Sequence, residues 1–511
     1  MAGHHPAASS ACRLEQPGSR LFGLELEMIP VHQASGTSMP VRHYFRALHA
    51  IKRRHGCAPR SERLAGRCVG LHTAVAECGL DNGFNLLETA LAPVRSDQGG
   101  LHELARRAHA ELADALQALQ ADQACILSAS QHPDCARDAQ WYAQVCVPRA
   151  IYRELRDYRG WHHAEGIDAK AQNGANTSVP VARAVDALNV NIAFAAVGLA
   201  LFANSPLESG RITGLKETRT LLWPRALAAA RFPGDRKLCT RPARPFRDLA
   251  DFFGWMFGPG TVSRGLPVHP STDYKGVQTL LLDGNPCLMT VLWAGRWRGR
   301  SLDGQTALDL EIGAHHFEYS QIGQFLDARL RYRFQTLPSL PDLRAAWRAP
   351  GGLEALFTAC GAHMYIEGRI PGAGFADACL LEEAGAGVAR SMLMAPMAVQ
   401  AGLLANLDQA VALMHDWGWQ RLGALRQAAL MSGLEDGQVR ALCADVLAVA
   451  RAGLDPADRS WLAYADFVLH TQHNAADRLL ETWRAASGDR SRKLAAVVAR
   501  HAALDPVQYG A

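Results

Sequence analysis

The stretch "LFGLELEMIPV", Leu21 to Val31, alternates strictly. Leu24, Leu26 and Met28 fall on one side and Gly23, Glu25 and Glu27 on the other, the period-two pattern of a strand with one face in a core. Successive same-face residues lie two steps of about 3.3 Å apart, so the two carboxylates project together. A solvated strand face accounts for them, because alternation with polar residues outward is ordinary. So does a metal site, in which such a pair holds one Mg²⁺ or bridges two.

Three further segments carry residues of the same kind. In "GLDNGFNLLETALAP" (Gly79–Pro93), Asp81, Asn82 and Gly83 make a turn. Glu88 follows on an apolar strand, where a carboxylate is costly to bury without a partner. It joins a site, points to water or pairs with an arginine. In "HMYIEGRIPGAG" (His363–Gly374), Glu367 and Arg369 stand two apart on one face of a short strand with Tyr365, and glycines at 368, 372 and 374 let backbone approach a ligand. This acid and arginine serve a metal and a phosphate, or form a cross-strand ion pair. In "FANSPLESGRITGLKETRTLLW" (Phe202–Trp223) a helix ends at a turn and Arg219 follows. Its planar fork suits a carboxylate or phosphate, and equally a solvated turn.

Composition removes other classes. The 511 residues allow one large or two to three ordinary domains. A net charge of +4 without a long basic run gives no argument for nucleic acid or a membrane surface. Twelve cysteines scattered singly, with no CxxC pair and no signal peptide at the start, suit reduced thiols in a cytoplasmic protein. The longest apolar stretch, "IAFAAVGLALFA" (Ile192–Ala203), suits a buried helix and is too short to span a bilayer.

Along the chain, residues 1–19 read as a disordered lead-in. Strands are expected at Arg20–Val31, Asn85–Pro93 and "CILSAS", and helices at "VRHYFRALHAIKRRHG", Leu101–Gln120 and, as one long element, Ala182–Ala203. Arg211 to Arg348, with many Gly, Pro and Trp residues, reads as loops and strand ends around a site. After about Ala395 amphipathic helices follow one another, with Val439, Leu442, Cys443, Val446 and Val449 at helical spacing.

Taken in order, these fragments resemble the glutamate–cysteine ligases, ATP-dependent enzymes that make the γ-glutamyl amide of cysteine. "GLELE" is similar to the family's opening Gly-x-Glu-x-Glu strand, and "DNGFNLLE" matches the Asp-x-x-x-x-Leu-Leu-Glu spacing of the enterobacterial branch. "GLALFANSPLESGRITG" with the Arg219 segment resembles the plant and proteobacterial branch, and "MYIEGRIPGAG" is similar to that branch's Tyr-(Leu/Ile)-Glu-x-Arg-Gly segment. The resemblance spans about residues 21–405. It departs from the family at Glu217, commonly serine, at "AECGLDNG" in place of Glu-Pro-Gly-Gly, and at "AQNGANTSV", where only Asn176 aligns. "LHTAVAECG" and the His315–His316 pair have no counterpart.

The resemblance implies an α+β fold: a curved antiparallel sheet with helices on its outer face and substrates inside, like the catalytic domain of glutamine synthetase. That domain would cover residues 20–395, with a helical C-terminal region, 396–511, packed on it. The implied reaction is ADP-forming: glutamate's γ-carboxylate attacks the γ-phosphate of ATP, and an amine displaces phosphate from the acyl phosphate. Glu25, Glu27, Glu88 and Glu367 would form the Mg²⁺ shell, with Glu25 and Arg369 on the nucleotide. Arg369 would stabilise the transferring phosphoryl group, and Arg219 would clamp the donor's α-carboxylate. Asp81 would orient the acceptor's amine or join the metal shell, and Asn176 would line the substrate. The partners implied are amino acids and ATP, with cysteine the first acceptor. A phosphotransferase on the same scaffold and a non-catalytic relative are the alternatives. The acceptor amine, the oligomeric state and the role of the C-terminal helices are left open.

Overall fold

β1 (Leu21–His32) is the strand on which the main sheet is built, pairing with four others along its length. The structure, a computed structural model, describes residues 19–271, 274–321 and 326–511; of the expected lead-in only Ser19 is among them, and the rest lies outside the described residues. In chain order follow β2 (Arg60–Leu64), β3 (Arg67–His72), β4 (Ala76–Leu80), β5 (Leu87–Leu91), β6 (Val94–Arg95), β7 (Ala124–Leu127) and β8 (Asn173–Val179). Two late strands, Ala328–Arg333 and His363–Gly368, complete the sheet. Across it the order is 328–333, 363–368, β8, β1, β5, β4, β3, β2, with every pairing antiparallel and β6 and β7 added beside β1. The sheet curls into a half-barrel, the shape strand twist favours in so wide a sheet.

The alternation decides which face is which. Leu24, Leu26 and Met28 are buried, together with Leu87 and Leu91 of β5, Ala175 of β8 and Ile366 of the last strand. This apolar face packs against α2 (Gly100–Leu119), whose Leu101, Leu104, Ala108 and Leu112 repeat at helical spacing. Beside it lies α1 (Tyr44–Arg54), joined to α2 by the buried Lys52, which pairs with Glu111 and Asp114. Further along, helix Ala395–Ala405 crosses β8, and its Gln400 Nε2 donates to Ile366 O at 2.9 Å.

Helices 395–405 and Gly437–Gly453 cross at a pair of glycines. A Cβ on Gly402 would stand 2.2 Å from Ala450 O, and one on Gly453 would stand 2.1 Å from Gly402 O. Backbone that close admits no side chain. Gly402→Ala is therefore expected to cost about 1–3 kcal/mol through overpacking, read as a lower urea midpoint. An unchanged midpoint would show that the crossing yields.

Two expectations change. The long helix over 182–203 is two helices, Ala184–Ala193 and Ala195–Phe202, bent by 47° at Phe194. No single helix among the described residues is long and apolar enough to cross a membrane, although two bent pairs reach that length together. The 211–348 stretch is more ordered than its composition suggests: a four-stranded sheet (Leu266–Pro267, Thr279–Leu282, Arg296–Arg300, Ala307–Glu311) and several helices pack around Phe253, Phe317, Tyr332 and Phe357. These aromatics are too far apart in sequence to show as a local pattern. Edge-to-face packing supplies the core there.

Candidate functional site

The polar face of the sheet gathers the singled-out residues by register. Glu27 stands opposite Glu88, Gly23 opposite Asn176, and Asn176 opposite Glu367. Residues opposite one another in an antiparallel pair share a face, so acids from three strands converge. Glu25 stands opposite Gly174, and a Cβ there would lie 3.6 Å from Glu25 Oε2. The missing side chain at 174 opens the way from Glu25 toward the strand that carries Glu367.

Cations answer all but one of these acids. Buried Lys170 reaches both oxygens of Glu27 at 3.3 Å and Asp81 Oδ2 at 2.9 Å. Asp81 also accepts from Tyr152 Oη at 2.9 Å and Asn82 Nδ2 at 3.1 Å. Burial works to raise the Asp81 pKa, and Lys170 and Lys275 overrule it, leaving the carboxyl below its ordinary range. Lys275, delivered by the 274–278 loop, sits 3.0 Å from Glu88 Oε2. Glu367 is clasped by Arg329 on both oxygens at 2.6 Å and by Arg369 Nη1 at 2.7 Å. Against its burial, those two guanidiniums hold its pKa down at about 2.

Glu25 is the exception. Among the described residues no hydrogen bond or ion pair reaches its carboxylate. Burial first, then the charges of Glu367 and Glu88, push its pKa up to about 8. An acid so placed carries a proton near neutrality, or else it carries a cation. Two other groups in the recess are unsatisfied: Asn176 Oδ1, and the Nε and Nη1 of Arg331, which lies opposite Tyr365 beside Glu367. The hard oxygen donors fit Mg²⁺, and the Arg331 guanidinium, whose Nε stands 3.9 Å from Glu367 Oε2 and whose Nη1 makes no hydrogen bond among the described residues, fits an anion beside it.

Arg219 is placed differently from the expected clamp. Its Nε donates to Glu217 Oε1 at 3.0 Å, its Nη1 to Gln172 Oε1 at 3.2 Å, and its Nη2 to the carbonyls of Arg369 and Ile370 at 3.3 and 2.8 Å. With its fork committed to protein, Arg219 fixes the turn that follows Glu367. Glu217 is wholly buried, accepting also from Ser130 Oγ and from Asn204 N at 2.9 Å. Arg369 lies just past the strand rather than on it, its N–H donating to Asp327 O at 3.0 Å.

Sequence reasoning missed Lys170, Lys275, Tyr152, Arg329 and Arg331. Only the last pair carried a local signal, the alternating arginines of "ARLRYR". The unplaced "LHTAVAECG" segment puts His72 between Glu62 and Glu77, each at 3.6 Å, toward the far edge of the same sheet. The His315–His316 pair is structural at 316, whose Nε2 meets Pro267 O at 3.0 Å and whose Nδ1 accepts from Gly313 N at 3.1 Å.

The sequence comparison bears on the strands that carry these acids. Residues 21–256 match glutamate–cysteine ligase family 2. The matched segment contains Glu25, Glu27, Asp81, Glu88, Asn176 and Arg219, whereas Lys275, Arg331, Glu367 and Arg369 lie beyond it. No curated protein matches the chain. Among solved structures, a glutamate–cysteine ligase from Francisella tularensis in complex with AMP is similar at 13% identity and a TM-score of 0.46, covering 96% of this chain and 89% of that one. A bifunctional glutathione synthetase from Pasteurella multocida is similar at 12% identity and a TM-score of 0.44; this chain covers 53% of it, about half its length.

Proposed function

We propose that the chain is an ATP- and Mg²⁺-dependent ligase joining the γ-carboxylate of glutamate to an amine, with cysteine the first candidate. The observation that carries this reading is Glu25, an acid without a cation at the centre of an acidic sheet face, inside the segment that matches a ligase family. Glu25, with Glu27, Glu88 and Glu367 around it, would hold Mg²⁺. Bound there, the ion supplies neutralisation of the triphosphate's charge, so that a second anion can approach it.

The chain's own groups do the rest. Arg331 and Arg369 lie where charge spreads over the transferring phosphoryl oxygens, and a preformed guanidinium there lowers the barrier without reorganisation. Lys170 holds Glu27 and Asp81 in place and Lys275 holds Glu88, each through an ion pair. Asp81, kept charged by those lysines, accepts from and orients the amine that attacks the acyl phosphate. Asn176 Oδ1 accepts from the donor amino acid. Arg219 is a positioning residue for the 369–370 turn. In this reading residues 20–395 form the catalytic unit, of the glutamine synthetase class, with the helices of 396–511 packed on it, working in the cytoplasm on small molecules.

Arg331→Gln, which removes the charge held only loosely by Glu367 at 3.9 Å and keeps the strand, is expected to weaken nucleotide binding about tenfold, or about 1.4 kcal/mol. Titration with Mg-ATP measures it, and an unchanged Kd would remove Arg331 from the site. The reading as a whole is tested by ADP release with Mg-ATP and L-glutamate across a panel of amines that includes cysteine. ADP formed only with one amine present is expected. ADP formed equally without any amine would point to a phosphotransferase, and ADP formed with none of them would defeat the ligase.

A further inference from the structure

A second cluster of reactive side chains lies outside the acidic face. Asp377 caps helix Ala378–Met392, its Oδ1 accepting from Leu380 N at 2.8 Å, and its Oδ2 meets His501 Nδ1 at 2.9 Å. On the other side of the imidazole, Nε2 faces Cys379 Sγ at 3.9 Å and Thr482 Oγ1 at 2.8 Å. Asp377 and His501 are buried, while Cys379 is partly exposed in the first turn of the helix, which breaks at Gly385. The neighbouring Arg500 also faces the thiol and is ion-paired with Glu382 at 2.7 Å. Acid, imidazole and thiol thus stand in series, as they do where a thiol is activated as a nucleophile. Burial opposes it, but His501 lowers the pKa of Cys379, whereas burial raises those of Cys78, Cys125, Cys135 and Cys443.

We propose that Cys379 is a nucleophilic thiol that accepts half of a low-molecular-weight disulfide, with Asp377 and His501 holding it as the thiolate. In the exchange the Cys379 sulfur attacks one sulfur of the disulfide. A new S–S bond forms and the old one breaks. The departing half leaves as a thiolate and takes a proton from solvent, so the Cys379 sulfur is oxidised as the departing sulfur is reduced by the pair of electrons it carries away. The site is separate from the acidic face and does not depend on the proposed ligase activity.

The test treats the full-length protein with hydroxyethyl disulfide and follows each cysteine by peptide mass spectrometry. Cys146, also partly exposed and with its thiol hydrogen-bonded only to Ala143 O among the described residues, serves as the internal reference. At about pH 6.5, Cys379 is expected to react about tenfold faster than Cys146, and its rate should change little up to about pH 8. His501→Asn should abolish that advantage. A Cys379 rate no greater than that of Cys146, or one climbing about tenfold per pH unit as for an ordinary thiol, would overturn the proposal. So would an advantage that survives His501→Asn. Should that variant fail to fold, the pH profile of the unaltered protein decides.

Discussion

Glu25→Gln is expected to lower ADP formation by about a hundredfold to a thousandfold while leaving the fold intact. The amide keeps the shape and removes the carboxylate of that face that no cation among the described residues pairs with. The loss should appear in kcat as well as in the Mg²⁺ dependence, because the group acts where charge is greatest. In the metal-free protein the same substitution has a second signature. The folded pKa of Glu25 lies at about 8, above the ordinary 4.5, so the folded state keeps a proton that the unfolded chain has already released. The sign follows from linkage: stability is fullest below the unfolded value and declines as pH rises through the folded one. Between about pH 4.5 and about 8, the unaltered protein should therefore lose thermal stability relative to Glu25→Gln. Added Mg²⁺, which favours the ionised form, should narrow the difference. Identical pH dependence in the two proteins would mean that Glu25 is not held among like charges.

Glu217→Gln is expected to be the most damaging single change to stability, costing about 3–5 kcal/mol, because it leaves a buried guanidinium without its charge partner. Glu217 and Arg219 are both buried, 3.0 Å apart, and Arg219 ties the carbonyls of Arg369 and Ile370 to the rest of the site. Urea unfolding measures the loss. Replacing both residues, Glu217→Gln with Arg219→Leu, should recover part of it, since the uncompensated charge is removed. A Glu217→Gln midpoint equal to that of the unaltered protein would show the pair to be incidental.

How much of this was legible depended on distance along the chain. β1 could be read residue by residue, because each of its faces is committed and a strand's period of two writes that commitment into the sequence. Glu217 could be noticed, standing where the resemblance called for a serine, but its role could not: Ser130 and Asn204 come from other segments. The cations were out of reach for the same reason. Lys275 lies 187 positions from Glu88, and Lys170 lies 143 from Glu27, so no local spacing joins them. Arg329 is 38 positions from Glu367, but their pairing is a matter of strand register. The arginine expected to clamp a substrate showed a related limit. A guanidinium's chemistry is evident from its letter, but whether protein or ligand takes its five donors depends on the packing around it.

The most direct measurement of the central claim follows an oxygen atom. Glutamate carrying heavy oxygen in its γ-carboxylate would be turned over with Mg-ATP and the accepted amine, and the released phosphate analysed by mass spectrometry. If the acidic face activates that carboxylate as an acyl phosphate, each phosphate released carries one heavy oxygen, and labelled amide accumulates in equal amount. Unlabelled phosphate alongside amide formation would contradict it.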